Sequence, residues 1–124
     1  MAHYVDGYVV PVPKAKLAEY RKMANKFGKI WIEHGALGVF ENVADDVKPG
    51  KRTSFPQAVK LKEDEVVVFS WISFASRRAR DKVNKAVMAD PRVMAMDHKN
   101  VPFDGKRMFW GGFKSLVALQ AKAT

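Results

Sequence analysis

The chain has 124 residues and a mass of 14.0 kDa, with 22 basic against 13 acidic side chains and a formal net charge of +9. The absence of cysteine excludes disulfides, thiolate metal sites and cysteine nucleophiles. No apolar run reaches the ~18–20 residues that span a bilayer, and the length suits one domain, 1–124, able to bury a real core.

Taken in chain order, residues 4–12 are β-branched and aromatic and predict a strand ended by Pro11 and Pro13. Residues 14–34 predict a helix, because Leu17, Tyr20, Ala24, Phe27, Trp31 and His34 recur at steps of three and four. Pro13 opens it and Gly35 closes it. Residues 36–44 predict a second strand, and 45–57 a loop rich in turn residues, with a short extended piece near 58–61. Residues 65–74 predict a third strand and 76–89 a second helix, which Asp90-Pro91 ends; Pro91 can open a further helical turn through residue 96. Residues 107–119 predict the last strand, in which Gly111 and Gly112 mark a bulge or a close backbone approach. Residues 120–124 are expected to fray.

The order β-α-β-β-α-β is that of an α+β, ferredoxin-like fold, an antiparallel sheet with two helices on one face. The strands carry large apolar residues on both parities, so the face without helices must also meet something. A second subunit stacking sheet on sheet and the bases of single-stranded RNA are the two solutions considered.

The positive charge is uneven. Residues 14–34 hold six basic and two acidic side chains, residues 76–90 five and two, and residues 91–124 six and two. Two of these blocks are predicted helices whose outer faces the charges would solvate. An RNA- or anion-binding module using those basic helix faces is the alternative to a small-molecule protein. The third strand opens Glu65-Val-Val-Val, without the Gly and basic residue of an RNA-recognition motif. Pro49-Gly-Lys-Arg-Thr-Ser54 imitates the end of a phosphate loop but lacks its first glycine and a following helix. His3, His34 and His98 have no metal-ligand spacing, no serine elbow is present, and nothing calls for a cofactor. The first six residues lack the basic start of a signal peptide, so a cytoplasmic protein is expected.

The polar residues on otherwise apolar elements are the candidates for a site. Asp6 lies inside the first strand, Glu41 inside the second, and Arg107 opens the last; His34 ends the apolar stripe of the first helix, one turn after Trp31. A buried carboxylate must be paired or protonated, and Arg107 or a lysine is the expected partner. If Asp6, Trp31, His34, Glu41, Trp71 and Arg107 converge, they form a pocket between sheet and helices. His34 is then the acid or base, Asp6 or Glu41 orients it, Arg107 takes an anion and the tryptophans are walls.

Several stretches carry a family resemblance: Tyr4-Val-Asp-Gly-Tyr-Val-Val-Pro-Val-Pro-Lys14, Glu33-His-Gly35, Val43-Ala-Asp-Asp-Val-Lys-Pro-Gly-Lys51, Thr53-Ser-Phe-Pro-Gln57, Val87-Met-Ala-Asp-Pro-Arg92 and Pro102-Phe-Asp-Gly-Lys-Arg-Met108. The chain resembles, over nearly its whole length, the YbaA-like family of uncharacterised bacterial proteins. The resemblance implies a dimeric α/β-barrel in which two ferredoxin-like subunits pack sheet on sheet. It implies no activity and no assigned catalytic residues.

Overall fold

Alternation along a strand sends successive side chains to opposite faces, and here only one face receives the two long helices. The structure is a computed structural model that describes residues 3–122. Strand β1 (Tyr4–Pro13) leads through a 3-10 turn (Lys14–Lys16) into helix α1 (Leu17–Glu33); then follow β2 (Gly38–Val43), α2 (Phe55–Ala58), β3 (Glu65–Phe74), α3 (Arg77–Met88), α4 (Pro91–Met94) and β4 (Phe109–Lys114). The four strands form one antiparallel sheet in the order β2-β3-β1-β4.

Caps define the helix starts. The Ser54 hydroxyl accepts from Gln57 N, the Ser76 hydroxyl from Ala79 N, and the Asp90 carboxylate from Arg92 N, each meeting an otherwise orphaned donor. Gly35 ends the turn after α1 at φ +118°, a conformation that glycine adopts without strain.

Tyr4, Ile72 and Phe74 pack beneath Ile30 of α1 and Val83 and Val87 of α3, and Val10, Val12 and Val68 pack beneath Tyr20. Both long helices therefore cover the same sheet face. On the other face, residues 44–61 close one end, where Val59 and Leu61 pack on Val9 and Val67. The rest of that face is open: Phe40 is 49% exposed, Phe109 46% and Phe113 65%. Phe40 stacks on Trp71 at 5.2 Å between centroids, and Phe69 reaches Trp71 at 5.6 Å.

Four local expectations change. Strand β1 continues through Pro11 to Pro13, because β4 pairs with β1 only from Tyr4 to Val9 and the prolines lie beyond that ladder. Residues 55–58 are a helical turn under the Ser54 cap, and the extended piece expected nearby is absent from the described residues. The β1–β4 register is unbroken, so Gly111-Gly112 is no bulge; a Cβ on Gly112 would collide with the Tyr4 ring and hydroxyl, which makes it a close approach. Strand β4 runs only from Phe109 to Lys114, so Arg107 lies in the turn before it rather than at its start, and Leu116, Val117 and Leu119 beyond it are exposed.

Phe74 is wholly buried at the junction of both helices with the sheet. Replacing it with alanine is expected to cost about 3–5 kcal/mol, read as a lower urea midpoint with an unchanged slope.

Candidate functional site

The six residues singled out by sequence occupy five places. Asp6 and Trp31 are joined through Asn84. Asp6 is fully buried on the helix-covered face of β1, where it accepts from Arg80 Nη1 at 3.0 Å and from Asn84 Nδ2 at 3.2 Å. The Asn84 Oδ1 accepts from Trp31 Nε1 at 3.1 Å, and Arg80 Nη2 donates to the Tyr4 hydroxyl at 3.2 Å. Burial pushes the Asp6 carboxyl up, while Asn84 and Arg80 pull it back. Arg80 Nε lies 2.9 Å from Asp81 Oδ1 but is not aligned to donate to it. Asp6 thus pairs with Arg80 rather than with Arg107. Arg80 and Asn84 stand one turn apart on α3, so their spacing was the available signal.

His34 caps the C-terminal end of α1, and its Nε2 lies 2.8 Å from Asp90 Oδ2. Arg92 bridges Asp90 at 2.8 Å and Glu33 at 2.7 Å, tying the end of α1 to the start of α4. Hydrogen bonds from Arg92, and then from His34, hold the Asp90 carboxyl far below the usual carboxylate range. Arg107 binds both oxygens of Glu65, at 2.7 and 2.6 Å, and also Asp104 at 2.7 Å and the carbonyls of Val59 and Lys60. It is a clamp that closes the long segment between β2 and β3. Trp71 lies on the open sheet face, away from the helices.

Glu41 stands in a different setting. The strand register aligns Glu41, Ser70, Tyr8 and Trp110 in one row across the whole sheet, all toward the helices. Tyr8 stacks on Trp110 at 5.9 Å. From above the row, the Tyr20 hydroxyl of α1 donates to Glu41 Oε1 at 2.7 Å. Sequence periodicity placed Tyr20 in the core; its hydroxyl's role depends on the register of β2 beneath it.

The row opens into a groove between α1 and the edge strand β2, walled by Leu17, Ala24, Gly28, Val39, Val43 and Val68. Close packing makes the groove narrow at its middle, where a Cβ on Gly28 would press on Val39. The flank of Glu41 is open to solvent through the groove, yet the protein packed around its carboxyl outweighs this and raises its pKa above the ordinary glutamate value. Tyr20 and Ser70 oppose the rise by hydrogen bonding. The Tyr8 and Tyr20 hydroxyls are pushed up by burial and stay protonated. The groove therefore holds a carboxyl able to give or take a proton, bonded to the hydroxyls of Tyr20 and Ser70.

The raised pKa has a sign. The folded state holds the Glu41 proton more tightly than the unfolded chain, so its contribution to stability declines as pH rises through the window just above the ordinary glutamate value. Asp90 and Glu65 run the other way: both are lowered, by Arg92 and Arg107 respectively, and their contribution is lost as pH falls through the acid range. Glu41→Gln removes only the first effect. Its urea midpoint is expected to equal or exceed that of the wild type at pH 8, with the advantage shrinking toward pH 4; a constant difference across that range would refute the assignment.

A family model described as "Protein of unknown function (DUF1428)" matches residues 3–105. The "Uncharacterized protein YbaA" of Escherichia coli strain K12 is 49% identical over 114 residues, covering 92% of this chain and 97% of that one, and the protein of that name in Shigella flexneri matches equally. A crystal structure of an uncharacterized NIPSNAP domain protein from Burkholderia xenovorans aligns with a TM-score of 0.61 over 95% of this chain and 99% of that one, at 15% identity. That likeness is one of fold, and it is ferredoxin-like. Among the described residues no helix is long and apolar enough to cross a membrane. The chain belongs to the DUF1428 family of YbaA-like proteins.

Proposed function

We propose that the protein is a homodimer, packed sheet on sheet, in which each subunit binds a small molecule in the groove between α1 and β2. The observation that carries the ligand reading is Glu41: a carboxyl with a raised pKa, hydrogen-bonded to Tyr20, at the floor of an apolar groove open to solvent. Such a group would place a polar ligand atom and exchange a proton with it. The dimer reading rests on the open face, where Phe40, Phe69, Phe109 and Phe113 are each more than two-fifths exposed. An aromatic surface of this kind is stable in water when a like surface covers it, and a two-fold axis makes one patch serve both subunits.

An RNA reading on the open sheet face draws less support. By the strand register, the open face presents Val5, Val9, Phe69, Trp71, Phe40 and Phe113, and none of its strand residues is lysine or arginine. The phosphates of a bound strand would find no cation there.

Light scattering is expected to give twice the 14.0 kDa chain mass, and Phe113→Glu, which changes a side chain already exposed in one subunit, to give the mass of one chain. A wild-type monomer at tens of micromolar would refute the dimer.

Ligand binding is tested by a thermal-shift panel of small metabolites. Val43→Trp projects bulk from the edge strand into the groove, at a position 50% exposed. Compounds that raise the melting temperature of the wild type should fail to raise that of the variant. A panel that shifts neither protein, or both equally, would overturn the groove as the site.

A further inference from the structure

The groove has a polarity along its depth as well as an apolar wall. Its floor is the Glu41–Tyr20 pair, with the Ser70 hydroxyl beside it. Its rim is basic: Arg21, Lys22 and Lys29 project from α1 along the same opening. Among the described residues none of these three cations is in an ion pair. The rim's one acid, Glu33, is taken by Arg92 at 2.7 Å. Walls from Leu17 to Ile32 follow α1 for about 22 Å at 1.5 Å per residue.

Resting on the small-molecule reading above, we propose that the ligand is an apolar-bodied monoanion, such as an aromatic or aliphatic carboxylate, whose charged end is bound by protonated Glu41 together with the basic rim. The protonated carboxyl donates through Oε2 to the ligand anion while Oε1 accepts from Tyr20, so neither oxygen is left without a partner. The apolar body lies against Ala24, Val39 and Val68. The three cations draw the anion in from solvent, an attraction that salt screens. Ionised Glu41 would instead repel it, so ligand and proton bind together, each favouring the other.

Tyr20 on α1 and Ser70 on β3 bond to Glu41, and Tyr8 on β1 shares its row; Arg21, Lys22, Lys29 and Glu33 on α1 line the same groove, and Asp6, in the neighbouring row, is paired with Arg80. His34, next to Glu33 in the chain, bonds to Asp90 outside the groove, and comparison with Glu41→Gln isolates the pH dependence that belongs to Glu41.

The test uses two fluorescent probes of similar size. 8-Anilinonaphthalene-1-sulfonate stays anionic across the range, and N-phenyl-1-naphthylamine stays neutral. The wild type is expected to bind the sulfonate at least tenfold more weakly at pH 8 than at pH 5, since linkage to one proton changes affinity by up to about tenfold per pH unit. Glu41→Gln, a permanent donor at that position, should bind it at pH 8 as tightly as the wild type does at pH 5, and with no such fall. Val43→Trp should lose this binding. Equal pH dependence in wild type and Glu41→Gln would overturn the role of Glu41. Preference for the neutral probe, lost in Val43→Trp, would overturn the anionic class and leave the groove standing as a site. Binding of either probe unchanged by Val43→Trp would refute the groove itself.

Discussion

The two faces of the central strands set the terms for everything else in this molecule. Strands β1 and β3 place Tyr4, Val10, Ile72 and Phe74 on one side and Val5, Val9, Phe69 and Trp71 on the other. Two helices can cover only one side of a four-stranded sheet. The covered side becomes the core and the site; the uncovered side stays aromatic and exposed. Among the described residues, the segment that packs on Val9 and Val67 covers one end of it.

On the covered side, two carboxyls in adjacent rows of the sheet have different environments. Asp6 lies in the row with Ile72, and Glu41 in the row with Ser70 and Tyr8. Asp6 is sealed between sheet and α3 and held by a guanidinium and an amide, which makes it part of the packing. A buried pair of this kind is costly to break, because the survivor is left charged without a partner. Glu41 has no cation bonded to it, only the Tyr20 hydroxyl and Ser70. Its environment penalises the charge by more than those two hydrogen bonds favour it. The same residue type is therefore an anchor in one row and a titrating group in the next.

The strand and helix order could be read from periodicity, because the apolar residues of 14–34 and 65–74 keep their spacing over long runs. Asp6 as a buried acid could be read as well, from its place amid Val and Tyr. Its partners could not, since Arg80 and Asn84 are 74 and 78 residues away and look like members of a solvated basic helix. Arg107 and His34 were legible as polar residues at element ends, and their actual work is to bind Glu65 and Asp90, choices set by tertiary contact alone. The row of Glu41, Ser70, Tyr8 and Trp110 joins all four strands, and no local pattern reveals a register across four strands. The end of β4 at Lys114 was missed because 115–119 has strand-forming composition but no strand beside it in one chain.

The position of β1 has a kinetic consequence. It is the first of the four described strands in chain order and it sits second from one edge, between β3 and β4, with no ladder to β2. Its hydrogen-bonding partners begin at Glu65 and Phe109, so each ladder must close a loop of fifty residues or more. As the chain emerges from synthesis, β1 waits with both edges unsatisfied until most of the sequence exists. Such distant pairing makes for slow folding, and α1, whose contacts along the helix are local, is suited to form ahead of the sheet that it will cover.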